Sequence, residues 1–243
     1  TNAYWAATKQ FPYYVTVRPK NTEKYSVQSL CGGALIKKNY AIISNSCKLD
    51  KNDSYVAFDF FDTYTKGEGS KLVAINKIVR PTQQIENNVA LLQLKEEMEL
   101  NDYVNVVSLP TANANVEMKK DSLFITWNSY VYFIKWYYAI YYNKAQILNE
   151  GSCEEILQTK MSTSTFCIRG FLELDSPPNP PGAILIQTYD YRPVLVGIAG
   201  SDGRIFTKVS SHVDWILREM EAMENQRNNT SFGPSVKIDT GQQ

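Results

Sequence analysis

Residues 31–47, Cys-Gly-Gly-Ala-Leu-Ile-Lys-Lys-Asn-Tyr-Ala-Ile-Ile-Ser-Asn-Ser-Cys, constrain this chain more than any other stretch. Two cysteines bracket a Gly-Gly step, a short apolar run, a polar turn at residues 37–40 and a second apolar run. That order predicts two β-strands joined by a hairpin and stapled at both ends. Cys153 and Cys167 form a second pair of similar spacing. Two local pairs suit two disulfides in an oxidising compartment, and so a secreted, extracellular protein. A zinc site is the competing reading, but no Cys-x-x-Cys and no histidine pair supports it, and no metal or other cofactor is expected.

The chain has 243 residues, enough to bury one large all-β unit or two small barrels. Its 25 Lys and Arg are matched by 25 Asp and Glu, which removes the bulk attraction that non-specific nucleic-acid or anionic-membrane binding needs. No apolar run reaches the ~20 residues of a membrane-spanning helix. The N-terminus has neither a charged n-region nor an apolar h-region, which predicts a chain whose signal peptide has been removed. Sequons at Asn52, Asn228 and Asn229 fit a secreted chain, and a monomer is expected.

The Cys-Gly-Gly segment resembles the trypsin-like serine proteases, in which a Cys-Gly-Gly-Ser-Leu-Ile strand leads into Ala-Ala-His-Cys. Further matches follow in the family's order: Phe11-Pro12-Tyr13 on the first strand, Val89-Ala90-Leu91-Leu92, Trp127, the Cys153 and Cys167 pair, and Asp214-Trp215-Ile216. The resemblance covers roughly residues 10–220. It implies an all-β fold of two packed six-stranded antiparallel barrels with a C-terminal helix. The expected division is a first barrel over 1–110, a linker over 111–122, a second barrel over 123–208, a helix over 209–223 and a polar, mobile tail over 224–243. A short helix is expected over 154–160.

The same resemblance implies that catalysis is lost. Ser46 stands where the family has its general base, and Asn88 where an aspartate orients that base; a carboxamide cannot supply the charge that stabilises an imidazolium. Pro181 falls at the nucleophile in 179–186, where the family reads Gly-Asp-Ser-Gly-Gly-Pro-Leu-Val. Proline has no hydroxyl to attack a carbonyl and no N–H to give an oxyanion, so Asn179 and Pro181 mark a lost oxyanion hole. Pro180 replaces the aspartate that pairs with a freed N-terminus. The chain has one histidine, His212, at the predicted start of the C-terminal helix. Asp175 and Ser176 align with the floor of the trypsin specificity pocket. Pro177 replaces a pocket-wall cysteine there, and residues 196–204 are shorter than the family's substrate-pairing loop. Asp59, Asp62 and Glu68 lie near the loop that binds calcium in some members and read as solvated charges.

Residues 130–142 hold eight aromatics, more than one face of one strand can bury. Tyr130, Tyr132, Phe133, Trp136, Tyr137 and Tyr138 are the candidate binding surface, because Tyr and Trp dominate interface hot spots; a repacked loop filling a degenerate cleft is the alternative. With the lost triad, this Tyr-rich chain resembles the inactivated serine protease paralogues of the scabies mite, relatives of the group 3 mite allergens. That resemblance implies a non-catalytic pseudoprotease whose partners are host proteins, complement components among them. A competitor that shields the substrates of active proteases is the alternative function.

Overall fold

In a computed structural model of the chain, residues 4–20, 31–60, 66–82, 89–132, 135–169, 181–201 and 203–231 are described. Six strands close the first barrel: β2 (Tyr14–Pro19), β3 (Cys31–Lys37), β4 (Tyr40–Ser44), β5 (Ser54–Phe60), β6 (Lys66–Val79) and β7 (Val89–Leu94). They run in the ring order β2-β3-β4-β7-β6-β5, antiparallel throughout. The second barrel is built from β8 (Ser122–Tyr132), β9 (Lys135–Ile147), β10 (Thr165–Arg169), β11 (Ile184–Tyr189), β12 (Arg192–Ala199) and β13 (Ile205–Lys208). Pairing of β8 with β9 closes its ring.

The continuous apolar runs follow from burial on both faces of a strand. Along β2, β3 and β4, Val15, Val17, Leu35, Ala41 and Ile43 fill the first barrel, while alternate positions Tyr14, Ala34 and Ile42 enter a separate cluster between the barrels. The second barrel repeats the scheme. Phe124, Leu185 and Phe206 point inward, and Ile125, Trp127, Ile184 and Ile186 meet the first barrel. Two disulfides, Cys31–Cys47 and Cys153–Cys167, staple the chain as the spacing suggested.

Several boundaries differ from the sequence-based expectation. The two-residue strand β1 (Tyr4–Trp5) pairs with Tyr141 and Tyr142 of β9, so this N-terminal segment joins the second barrel. β8 starts at Ser122, inside the expected linker. Helix α1 (Glu150–Leu157) begins ahead of 154 because the Asn149 side chain caps it, accepting from Ser152 N at 2.8 Å. A 3-10 turn (Val209–His212) precedes helix α2 (Val213–Ser231), which continues beyond 223 into the expected tail.

The apolar stripe Val213, Ile216, Met220 and Met223 ends where the helix was expected to end. Its continuation is held by polar contacts to the first barrel that no periodicity reveals. Lys37 Nζ reaches Glu224 at 2.7 Å, and Arg227 lies 3.6 Å from Glu97. No helix among the described residues is long and apolar enough to cross a membrane.

Candidate functional site

The segments that carry Ser46 and Pro181 meet where the barrels join. Gly32, next to the disulfide-bonded Cys31, donates its N–H to the Pro181 carbonyl at 3.0 Å. Cys31 is in turn bonded to Cys47, the residue after Ser46. A methyl group at Gly32 would collide with the Tyr14 hydroxyl and the Gly182 carbonyl. One at Gly182 would collide with the Gly32 carbonyl, and Gly182 has φ +87°, a conformation that favours glycine. This mutual approach explains why glycine stands at both positions.

Ser46 is half-buried in the turn after β4, its N–H donating to Ser44 Oγ at 3.3 Å. The arginine that follows β6 fixes this turn. Arg80 Nη1 donates to the Asn45 carbonyl at 3.1 Å and to Asn45 Oδ1 at 2.8 Å, and Nη2 donates to the Cys47 carbonyl at 3.1 Å. Partial burial pulls the Arg80 guanidinium below its ordinary pKa. Sequence reasoning missed this clamp, because its partners lie 33 and 35 positions away and no local motif announces it.

Val89, the first residue of β7, pairs with Ser44. Asn88 itself lies outside the described residues, as do Asp175, Ser176, Asn179, Pro180 and Asp62. Beyond Gly182 the segment is tied to the end of β12, Gly182 N donating to Ala199 O at 3.1 Å and Ala199 N to Ala183 O at 2.8 Å. From there the chain turns straight into β13, with Gly200 N bonded to Ile205 O at 2.9 Å. Burial holds the phenols of Tyr13 and Tyr14, at this junction, well above the usual tyrosine range.

The remaining candidates fall elsewhere. His212 is 7% exposed, within the 3-10 turn, and burial lowers its imidazole pKa below 6.5. The cavity it lines has none of Gly32, Ser46 or Pro181 in its wall. Asp59 accepts a hydrogen bond from Gly69 N at 3.0 Å at a break in the β5–β6 register. No cluster among the described residues is arranged to hold a metal ion.

The aromatic run forms the far end of a hairpin, β8 and β9 pairing without interruption from Ser122↔Ala145 to Tyr132↔Lys135. Within it Tyr130 stands opposite Tyr137, Ser129 opposite Tyr138 and Val131 opposite Trp136. The side chains at these positions, and Phe133 altogether, lie outside the described residues. Nearer the barrel, Tyr141 and Tyr142 pack against Trp5 and Tyr4 of β1, with ring centroids 3.9 Å and 5.6 Å apart.

A model of the trypsin family matches residues 2–176. Among curated proteins the chain is similar to trypsin-4 of Rattus norvegicus, 24% identical over 221 residues that cover 86% of this chain and 85% of that protein. It is also similar to trypsin I-P1 of Gallus gallus, 23% identical over 231 residues that cover 90% and 88% of the two chains. The solved structure titled "Structure of GrC" superposes with a TM-score of 0.74 at 19% identity, covering 90% of this chain and 98% of that one. Two closed six-stranded barrels, a C-terminal helix and a family match over most of the length lead to one conclusion: this chain belongs to the trypsin family.

Proposed function

We infer that this chain is a non-catalytic member of its family, secreted, and acting by binding other proteins. The observation that carries the reading is the bond from Gly32 N to the Pro181 carbonyl. It supports the reading by tying the Pro181 backbone to the strand that starts at Cys31; a proline in the nucleophile's place would offer neither hydroxyl nor N–H. Ser46 offers no imidazole on the neighbouring turn. The sole histidine is buried in the 3-10 turn before α2, and burial lowers its pKa. Direct return of β12 into β13 further shortens the segment on which a substrate backbone would lie.

Host proteins, complement components among them, are the partner class implied by the resemblance to the mite paralogues. The aromatic end of the β8–β9 hairpin is the surface we assign to them. Two measurements separate the parts of this reading. A fluorophosphonate probe of serine hydrolases leaves the purified protein unlabelled; stoichiometric labelling would refute the loss of catalysis. In a complement-dependent lysis titration in human serum, the protein protects target cells in a dose-dependent manner. Absence of protection at micromolar excess, with slowed turnover by an active trypsin-family protease, would transfer the function to substrate shielding.

A further inference from the structure

A second concave site lies where the end of β6 faces the start of α2. The cavity encloses about 570 Å³ and is walled by Arg80, Ser164, Ser211, His212, Arg218 and Glu219, among others. We propose that it binds a tetrahedral oxyanion, a phosphate or sulfate group, on two guanidinium side chains and two hydroxyls beside the first turns of α2.

Three observations converge on this. Arg80 is a half-buried cation whose hydrogen bonds among the described residues go to neutral acceptors, two carbonyls and an amide oxygen. Those bonds use three of the five N–H donors of a guanidinium, and no described residue takes the other two. Arg218 is on the exposed face of α2, and the carboxylate nearest it, Glu219, stands 4.0 Å from its Nε. It is therefore loosely engaged and can turn toward an anion. His212 is buried against the same cavity, and its Nε2 has no hydrogen-bond partner among the described residues. An unsatisfied buried ring nitrogen is costly unless something supplies the missing interaction.

The helix adds to the same sign of charge. The cavity flanks the N-terminal turns of α2, where the backbone dipole favours anions. Among the described residues the charged groups that face it are Arg80 from the end of β6 and Arg218 and Glu219 from α2, while the segment before β10 presents the Ser164 hydroxyl. Glu219 opposes a dianion, so among the described residues two cations stand against one carboxylate. An anion placed between the guanidiniums also stabilises the His212 imidazolium, so anion affinity rises as pH falls.

Because His212 is the sole histidine, its ring signals in an NMR spectrum are unambiguous. At constant ionic strength, replacing chloride by sulfate is expected to displace those signals saturably and to raise the pH at which they titrate. Sulfate keeps its charge throughout, so any pH dependence belongs to the protein. Arg218→Gln is expected to weaken the response about tenfold, and Glu219→Gln to strengthen it. Arg80→Lys serves as a second variant that keeps the charge and loses the planar fork. Inorganic phosphate and phenyl phosphate then define the ligand: an equal response to both assigns a monoester, and a response to phosphate alone assigns the free ion. Ring signals that superimpose in sulfate and chloride, or a response unchanged in Arg218→Gln, would overturn the proposal.

Discussion

The turn carrying Ser46 is held by side chains from elsewhere in the chain: Arg80 on its carbonyls and the disulfide through Cys47. Among the described residues the turn carrying Pro181 is held by backbone bonds, its carbonyl on Gly32 N and the next residue on Ala199 O. Both turns lie where the barrels join. Backbone geometry at this junction is needed to dock one barrel on the other, whatever chemistry the side chains perform. The two turns should fail differently, the backbone-held one abruptly and the side-chain-held one by degrees.

Gly182→Ala is the sharpest way to break the contrast. The added methyl meets the Gly32 carbonyl, and φ +87° is itself strained for alanine. Because backbone faces backbone, no side chain can move aside, and a loss of roughly 4 kcal/mol, or failure to fold, is expected. Urea unfolding of the soluble fraction measures it. A loss below about 1 kcal/mol would mean that the barrel junction is looser than the close approach implies.

Next in size is removal of the Cys31–Cys47 bridge by the double Cys→Ser change. The cysteines are 16 positions apart, and a loop of that size contributes about 3 kcal/mol by limiting the unfolded chain. Thermal unfolding with and without reductant should show the wild type approaching the variant. If the Ser46 turn depends mainly on the bridge, Arg80 adds little once it is gone; if the two act separately, their effects add.

These anchors differ in how far they could be read from the amino-acid order. The Gly-Gly step after Cys31, the apolar runs and the cysteine pairs are local patterns, and they led to strands and bridges because strands buried on both faces leave continuous apolar stretches, while the closure into two barrels came from the family resemblance. Resemblance to a motif singled out Pro181, but the close approach that requires glycine at 182 shows only in the fold. Arg80 was silent because its acceptors are main-chain carbonyls, which any sequence supplies. The extra length of α2 was silent for a related reason: Glu224 and Arg227 extend the helix through ion pairs to Lys37 and Glu97, whose positions only the fold reveals.

Arg80→Met should cost about 2 kcal/mol, since it removes three hydrogen bonds from the turn. Hydrogen exchange sharpens the test. The amides of residues 45–47 should lose protection while those of residues 182–183 keep theirs. Equal loss at both turns would show that they are one cooperative unit.

The smallest effect is a dependence on acidity that neither turn shares. His212 is buried with its pKa held below the 6.5 of a free imidazole, so the unfolded chain takes up a proton before the folded one does. Stability from this group is complete above 6.5, falls as pH drops below that value and levels off once the folded imidazole has also titrated. The guanidinium side chains of Arg80 and Arg218 line the same cavity and disfavour a second cation there. Thermal midpoints in chloride between about pH 7 and pH 5, above most carboxylate titration, isolate the term. His212→Gln should flatten the slope whatever its effect on the midpoint, and a slope unchanged in that variant would place the titrating group elsewhere. Sulfate should flatten it too in the wild-type protein, by adding negative charge beside the imidazolium.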